Sequence, residues 1–254
     1  MAELNLTAPE GSLTTSMPAI DLTVVVPTFN ERANIGLLIE RLGAVLKGIR
    51  WQVIVVDDNS PDGTADRVKT IAAGDLRVQC IRRVGRRGLS GAVLEGILAS
   101  AAPFVAVIDA DLQHDETLLP AMLRILRDDE ADLVVASRYL AAEPENAGFS
   151  RERLRASKIA NQIARRVLKA DVSDPVSGFF MIPRETIDTL APRLSSTGFK
   201  ILFDVIATAA GTLRIREIPY VFSPRLEGES KLDGKIILDY VGLVFSKLTR
   251  DLVS

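Results

Sequence analysis

Cysteine and histidine are almost missing from this chain of 254 residues, which has one of each, Cys80 and His114. One cysteine excludes a disulfide framework and a cysteine-built metal site within the chain, and it fits a reducing cytoplasm. One histidine means that any histidine-based triad would have to use His114, and no Gly-x-Ser-x-Gly motif accompanies it. Beside an acidic stretch, that imidazole is expected to be an exposed loop residue rather than a ligand. An excess of one charge is lacking too. Lys and Arg number 31 against 33 Asp and Glu, a net charge of −2, which argues against nucleic acid as a partner. The glycine-rich stretch Gly85-Arg86-Arg87-Gly88-Leu89-Ser90-Gly91 lacks the Gly-x-Gly-x-x-Gly spacing, and no Gly-Lys-Ser/Thr follows a phosphate loop. Nicotinamide, flavin and P-loop chemistry are therefore poorly supported. No run of about 18 apolar residues occurs, so no segment reads as a membrane span. The start of the chain, rich in Thr, Ser, Pro and Gly, has neither a basic beginning nor a long apolar centre. Residues 1–20 read as a disordered lead, not a signal peptide.

Apolar residues, 47% of the chain, are what it does have. They fall into an alternation of short runs and helical periods. Strands are expected at residues 22–26, 51–56, 78–81, 104–108 and 133–137. Between them lie a helical pattern after Asn30, carrying Ile35, Leu38, Ile39, Leu42 and Leu46, and further helices at 64–72, 88–101 and 117–127. Thr64 is placed to cap the second of these. Such an alternation predicts an α/β fold with a mainly parallel sheet and helices on both faces.

Ligands in such sheets bind beyond the carboxyl ends of the strands. Three expected strands end in polar clusters: Pro27-Thr28-Phe29-Asn30-Glu31, Asp57-Asp58-Asn59-Ser60 and Asp109-Ala110-Asp111. Their coincidence at one edge says more than any one motif. In the third cluster Asp109, Asp111 and Gln113 alternate. If the chain stays extended, their side chains share one side while Ala110 and Leu112 face protein. Two carboxylates and an amide oxygen make a hard-oxygen set suited to Mg²⁺ or Mn²⁺, a cation that would also take phosphate oxygens. Later, Arg and Lys crowd a helical stretch near residues 150–169, most of it a solvated face, but Arg153 and Ser157 are four apart and share one side. Residues 235–253 are helical in pattern, with a wide apolar band that includes Ile237, Val241, Val244 and Leu248. A core-packed helix would explain that band. So would an amphipathic helix at a lipid interface, which Lys231, Lys235, Lys247 and Arg250 would suit.

Together these motifs resemble the family-two glycosyltransferases of GT-A, Rossmann-like fold. The likeness rests on the clusters above, on Leu112-Gln113-His114 and on Ser137-Arg138-Tyr139. Asp174-Pro175-Val176-Ser177-Gly178-Phe179, Gly198-Phe199-Lys200 and Gly228-Glu229-Ser230-Lys231-Leu232 narrow it to the dolichol- or polyprenol-phosphate mannose synthases. Two small departures are Phe29, where Tyr is frequent, and Asp115-Glu116, where prolines are usual. The resemblance implies a catalytic domain over residues 21–232, with 233–254 as the membrane-interface helix. It implies GDP-mannose as donor, bound by Pro27, Phe29, Glu31, Val55, Asp57, Asp109, Ala110, Asp111, Gln113, Arg225 and Lys231. It also implies Mg²⁺ or Mn²⁺ held by Asp109, Asp111 and Gln113. Polyprenyl or dolichyl phosphate would be the acceptor, its phosphate on Arg138, Arg153 and Ser157. Asp111 and Arg138 would carry the catalysis, inverting at the sugar carbon. The place of work would be the cytoplasmic face of a membrane, reached through a membrane-domain partner or a transmembrane segment beyond this chain. Two other readings stand beside it. One is the same transfer with UDP-glucose or an amino-arabinose donor. The other is a catalytically silent nucleotide- or lipid-binding module, against which the intact acidic set argues.

Overall fold

In this computed structural model the structure describes residues 19–140, 168, 170–195 and 201–221. Runs of β-branched residues bounded by turns form the first five strands: β1 (Leu22–Thr28), β2 (Trp51–Asp57), β3 (Val78–Arg82), β4 (Phe104–Val107) and β5 (Leu133–Ser137). Helices α1 (Arg32–Val45), α2 (Thr64–Ala72), α3 (Leu89–Leu98) and α4 (Leu119–Arg127) alternate with them, a single 3₁₀ turn (Glu116–Leu118) leading into α4. Downstream come β6 (Phe180–Pro183), α5 (Arg184–Leu190), α6 (Ile201–Ala209) and β7 (Ile215–Pro219).

The strands form one sheet in the order β3-β2-β1-β4-β6-β5-β7. Every pairing is parallel except the two made by β6, which runs against β4 and β5. Alternation along β1 divides the core. Val24 and Val26 face the layer of α1, α2 and α4, whereas Val25 faces the layer of α3, α5 and α6. Helix α3 lies so close to the sheet that a Cβ on Gly96 would fall 2.5 Å from a methyl of Val25. The expected mainly parallel sheet with helices on both faces is what forms.

Helix α1 follows Asn30 as expected, starting at Arg32, and Asn30 itself takes a left-handed φ of 58°. One local expectation is corrected: Thr64 does not cap α2. Gly63 holds the cap position at φ 84°, and the Asp62 carboxylate accepts from the Thr64 N–H at 2.9 Å and the Thr64 hydroxyl at 2.6 Å. Arg153, Ser157, Arg225, Lys231 and the terminal segments 1–18 and 233–254 lie outside the described residues.

Candidate active site

Strands β2, β1 and β4 are neighbours and parallel, so their carboxyl ends meet at one edge, with Thr28 opposite Asp57. The three polar clusters therefore do come together. Asp57 is fully buried and braces the edge. It accepts from the Thr28 hydroxyl at 3.1 Å and from the N–H and hydroxyl of Ser60 at 2.9 and 2.5 Å. Ser60 Oγ in turn accepts from the Asn30 N–H at 2.9 Å, joining the first two loops. Pro27 and Val55 are buried as well, Val55 in the layer under α1, so neither Val55 nor the Asp57 carboxylate faces solvent in this state. Of the expected donor residues at the ends of β1 and β2, Phe29 and Glu31 are half-buried. Arg87 lies over the Phe29 ring, 4.6 Å from its centroid, and Glu31 accepts from the Asn34 amide at 2.9 Å.

The adjoining loop is held at its foot by a buried ion pair. Arg83 donates to Asp58 at 2.7 Å and to Glu95 of α3 at 3.1 Å, and the Gly88 N–H donates to the other Asp58 oxygen at 2.7 Å. Asp58 and Arg83 are both buried, so each needs the other to offset its desolvation. The glycine-rich stretch after β3 is thus tied to the end of β2.

Past β4 the chain does not stay extended. Leu112 turns it with a φ of 61°, and the 3₁₀ turn follows. Burial still alternates through this bend. Ala110 and Leu112 are 3% and 5% exposed, whereas Asp109, Asp111 and Gln113 are half-buried. Loop curvature replaces strand pleat, but the apolar residues still anchor the turn in the core beside α4.

Antiparallel β6 supplies what parallel strands cannot. Its first residue, Phe180, pairs with Val107 at the carboxyl end of β4 and with Val135 of β5, so the preceding loop from Asp174 enters at the site edge. Gly178 sits hard against Asp109, and a Cβ there would be 2.1 Å from Oδ2. Asp174, 0% exposed, takes the Nε and Nη2 hydrogens of Arg138 at 2.7 and 3.0 Å. Burial works against the Arg138 charge, but the Asp174 fork outweighs it and raises the pKa further. Glu217 of β7 orients this loop by accepting from Ser173 N–H and Oγ–H at 2.9 and 2.7 Å. In this state the Nε and Nη2 edge of Arg138, a residue expected to serve the acceptor phosphate, is occupied by Asp174.

His114 also departs from expectation. Instead of standing exposed in a loop, it is buried between Asp109, Phe179 and Tyr220. Tyr220, just after β7, has its pKa pushed far up, first by burial and then by Asp174, Asp109 and Asp111, with Arg138 opposing. The charges of Asp174, Asp109, Asp111 and Arg138 all act on this one phenol. The sequence marks neither Tyr220 nor the space-making role of Gly178, although Gly178 stands inside a motif already singled out.

A family model described as Glycosyl transferase family 2 matches residues 23–190. The chain belongs to glycosyl transferase family 2. A relative from Pyrococcus furiosus, named dolichol-phosphate mannosyltransferase, is 34% identical over 227 residues, 88% of this chain and 62% of its own. The chain thus spans less than two thirds of that relative's length. A Saccharomyces cerevisiae protein of the same name is 35% identical over 231 residues, covering 88% of this chain and 85% of its own. Among solved structures, glucosyl-3-phosphoglycerate synthase from Mycobacterium tuberculosis, in complex with Mn²⁺, uridine diphosphate and phosphoglyceric acid, superposes with a TM-score of 0.70. It is 18% identical and the match covers 90% of this chain and 78% of that one. Mannosyl-3-phosphoglycerate synthase from Rubrobacter xylanophilus gives 0.64 at 20% identity, over 91% and 74% of the two chains. These two likenesses are of fold, and the glycosyltransferase has the expected GT-A architecture.

Proposed function

We propose that this glycosyltransferase moves mannose from GDP-mannose to a polyprenyl or dolichyl phosphate. A phosphate oxygen of the acceptor bonds to the sugar's anomeric carbon, the bond from that carbon to the diphosphate breaks with inversion, and GDP leaves. One observation carries the reading. Neighbouring parallel strands β2, β1 and β4 bring the loops carrying Phe29 and Glu31, Asp57 and Ser60, and Asp109 and Asp111 to one sheet edge, where Gly178 closes on Asp109. The chain that does this is about one-third identical, over 88% of its length, to proteins named dolichol-phosphate mannosyltransferase.

Asp109, Asp111 and Gln113 fit a hard divalent cation by donor type. Among the described residues no group of three His, Cys, Asp or Glu is arranged to hold a metal, and a cation on Asp109, Asp111 and Gln113 would take diphosphate oxygens as well. Bound Mg²⁺ or Mn²⁺ would neutralise charge on the leaving diphosphate. Phe29 offers a ring face to the base, once Arg87 gives way, and Glu31 offers a carboxylate to the ribose. Pro27, Val55, Asp57 and Ala110 shape the floor beneath them. Arg225 and Lys231 are assigned to the diphosphate.

Arg138, with Arg153 and Ser157, serves the acceptor phosphate. Arg138 contributes its charge, oriented by Asp174, rather than the edge that Asp174 holds. An acceptor phosphate ionised near neutral pH needs little help from a general base, in keeping with a single, buried histidine. Positioning and charge neutralisation then do most of the catalysis.

No helix among the described residues is long and apolar enough to cross a membrane. The lipid acceptor nevertheless requires a membrane surface, and residues 233–254 are assigned to its cytoplasmic face, with residues 21–232 as the catalytic unit. The test is transfer of label into the organic phase from GDP-mannose or UDP-glucose, with polyprenyl phosphate present. Label from GDP-mannose alone supports the reading. Label from UDP-glucose alone moves it to another sugar, and label from neither refutes it.

A further inference from the structure

We propose that His114 is a positioning residue that holds the Asp109 carboxylate in place through a hydrogen bond, with Tyr220 fixing the imidazole. The inference rests on the reading of Asp109 as a cation ligand. Three rings make a box. His114 meets Phe179 edge-on at 5.7 Å between centroids and Tyr220 at 5.6 Å, while Phe179 and Tyr220 are T-shaped at 6.4 Å. Phe179 is fully buried and Tyr220 nearly so, so the plane of the imidazole is set by packing.

The two ring nitrogens then have separate partners. Nδ1 lies 2.7 Å from the Tyr220 hydroxyl, and Nε2 lies 3.4 Å from Asp109 Oδ2, at the long end of a hydrogen bond. A carboxylate only accepts, so Nε2 must carry a hydrogen. In the neutral ring Nδ1 is then a lone pair, and the Tyr220 hydroxyl donates to it. Burial raises the Tyr220 pKa, so this phenol keeps the hydrogen it donates. One tautomer results, aimed at one oxygen.

That same oxygen is bounded on another side by the bare Cα of Gly178. Asp109 is thereby confined from two directions, while its side chain keeps 34% of its surface exposed for a ligand. A ring that is oriented by one partner and orients a metal-binding group in turn is a recurrent device. Loss of such support typically weakens metal binding about 10–100-fold. His114 moves no proton in this scheme.

The experiment measures the Mn²⁺ dissociation constant by paramagnetic resonance in the presence of GDP, with a melting curve for every variant. His114→Phe keeps a flat apolar ring but removes the donor, and it should weaken Mn²⁺ binding by about 10–100-fold. His114→Gln retains an amide that can accept from Tyr220 and donate to Asp109, and it should recover most of that loss. Tyr220→Phe leaves the imidazole and removes only its orienting partner, so a smaller weakening at unchanged fold is expected. It also serves where His114→Phe does not fold. A purely structural role would lower melting temperature in all three and leave the Mn²⁺ constant of folded protein alone, which overturns the inference. The control is Asp109→Asn. Weakened Mn²⁺ binding there, with parental binding in folded His114→Phe or Tyr220→Phe, removes His114 and keeps the metal reading. Unchanged binding in Asp109→Asn removes both.

Discussion

Gly178→Ala adds one methyl group where the structure has already placed a carboxylate. The new Cβ would lie 2.1 Å from Oδ2 of Asp109, 2.6 Å from Cγ and 3.0 Å from Oδ1. Ordinary contact begins at 3.4 Å, so one partner must retreat by about 1.3 Å. The backbone around Gly178 is the stiffer one. Its neighbour Phe179 donates its N–H to Ser177 Oγ at 3.1 Å, and its carbonyl accepts from the Ala136 N–H at 3.0 Å. The Phe179 side chain is fully buried between the His114 and Tyr220 rings. Asp109, on a loop and partly exposed, is softer and moves instead. A misplacement of about 1 Å at a reacting centre can cost about a hundredfold in rate. We therefore expect Gly178→Ala to lower label transfer by about two orders of magnitude and to raise the Mn²⁺ concentration needed for half-maximal rate. Overpacking of this kind costs about 1–3 kcal/mol, so the variant should fold and melt somewhat lower. Initial rates across a Mn²⁺ titration, with a melting curve, test this. A folded Ala variant with parental rate and Mn²⁺ dependence would show that the exact seat of Asp109 is immaterial, and the geometry of the site would have to be reassigned.

Asp111→Asn keeps shape and removes charge, and transfer should fall by at least about two orders of magnitude with little change in melting temperature. Activity that survives both this change and a chelator would refute the metal assignment. Arg83→Ala strands the buried Asp58 charge and frees the Gly88 loop. A loss of about 3–5 kcal/mol in urea unfolding is expected, and a loss below about 1 kcal/mol would mean the pair is not buried as described. Asp132 is held below the usual carboxylate range, chiefly by its hydrogen bond to Arg214 and against a burial effect. Its folded pKa being the lower one, that pair stabilises the fold above the unfolded value near 3.8 and ceases to do so as pH falls through the folded value. Melting temperatures of the parent and Asp132→Asn should therefore differ modestly at neutral pH and converge in acid. Both side chains are substantially exposed, so solvent screening keeps the difference small. A gap that widens in acid would contradict this.

Local pattern determined a good part of this molecule. The first five strands were legible because a sheet covered on both faces demands apolar side chains on both sides, which leaves near-continuous runs such as Val24-Val25-Val26 and Val53-Ile54-Val55-Val56. Parallel order then puts every carboxyl end at one edge, so the motifs ending in Glu31, Ser60 and Asp111 had to meet once the alternation was recognised. Even the partial exposure of Asp109, Asp111 and Gln113 between buried neighbours followed from the apolar identity of Ala110 and Leu112, although Leu112 is buried by a turn rather than by a pleat. Tertiary structure decided the rest. A four-residue strand such as β6 is too short to announce its direction. Only its place between β4 and β5 makes it antiparallel and delivers Gly178 and Asp174 to the site. The edge of Arg138 that Asp174 occupies, 36 residues away in sequence, is a contact no local window contains. His114 and Tyr220 are 106 residues apart, and nothing near either residue says that they touch. A polar side chain at a loop is exposed by default. Whether it is buried depends on whether distant chain supplies the hydrogen bonds that make burial tolerable, and that is a property of the folded whole.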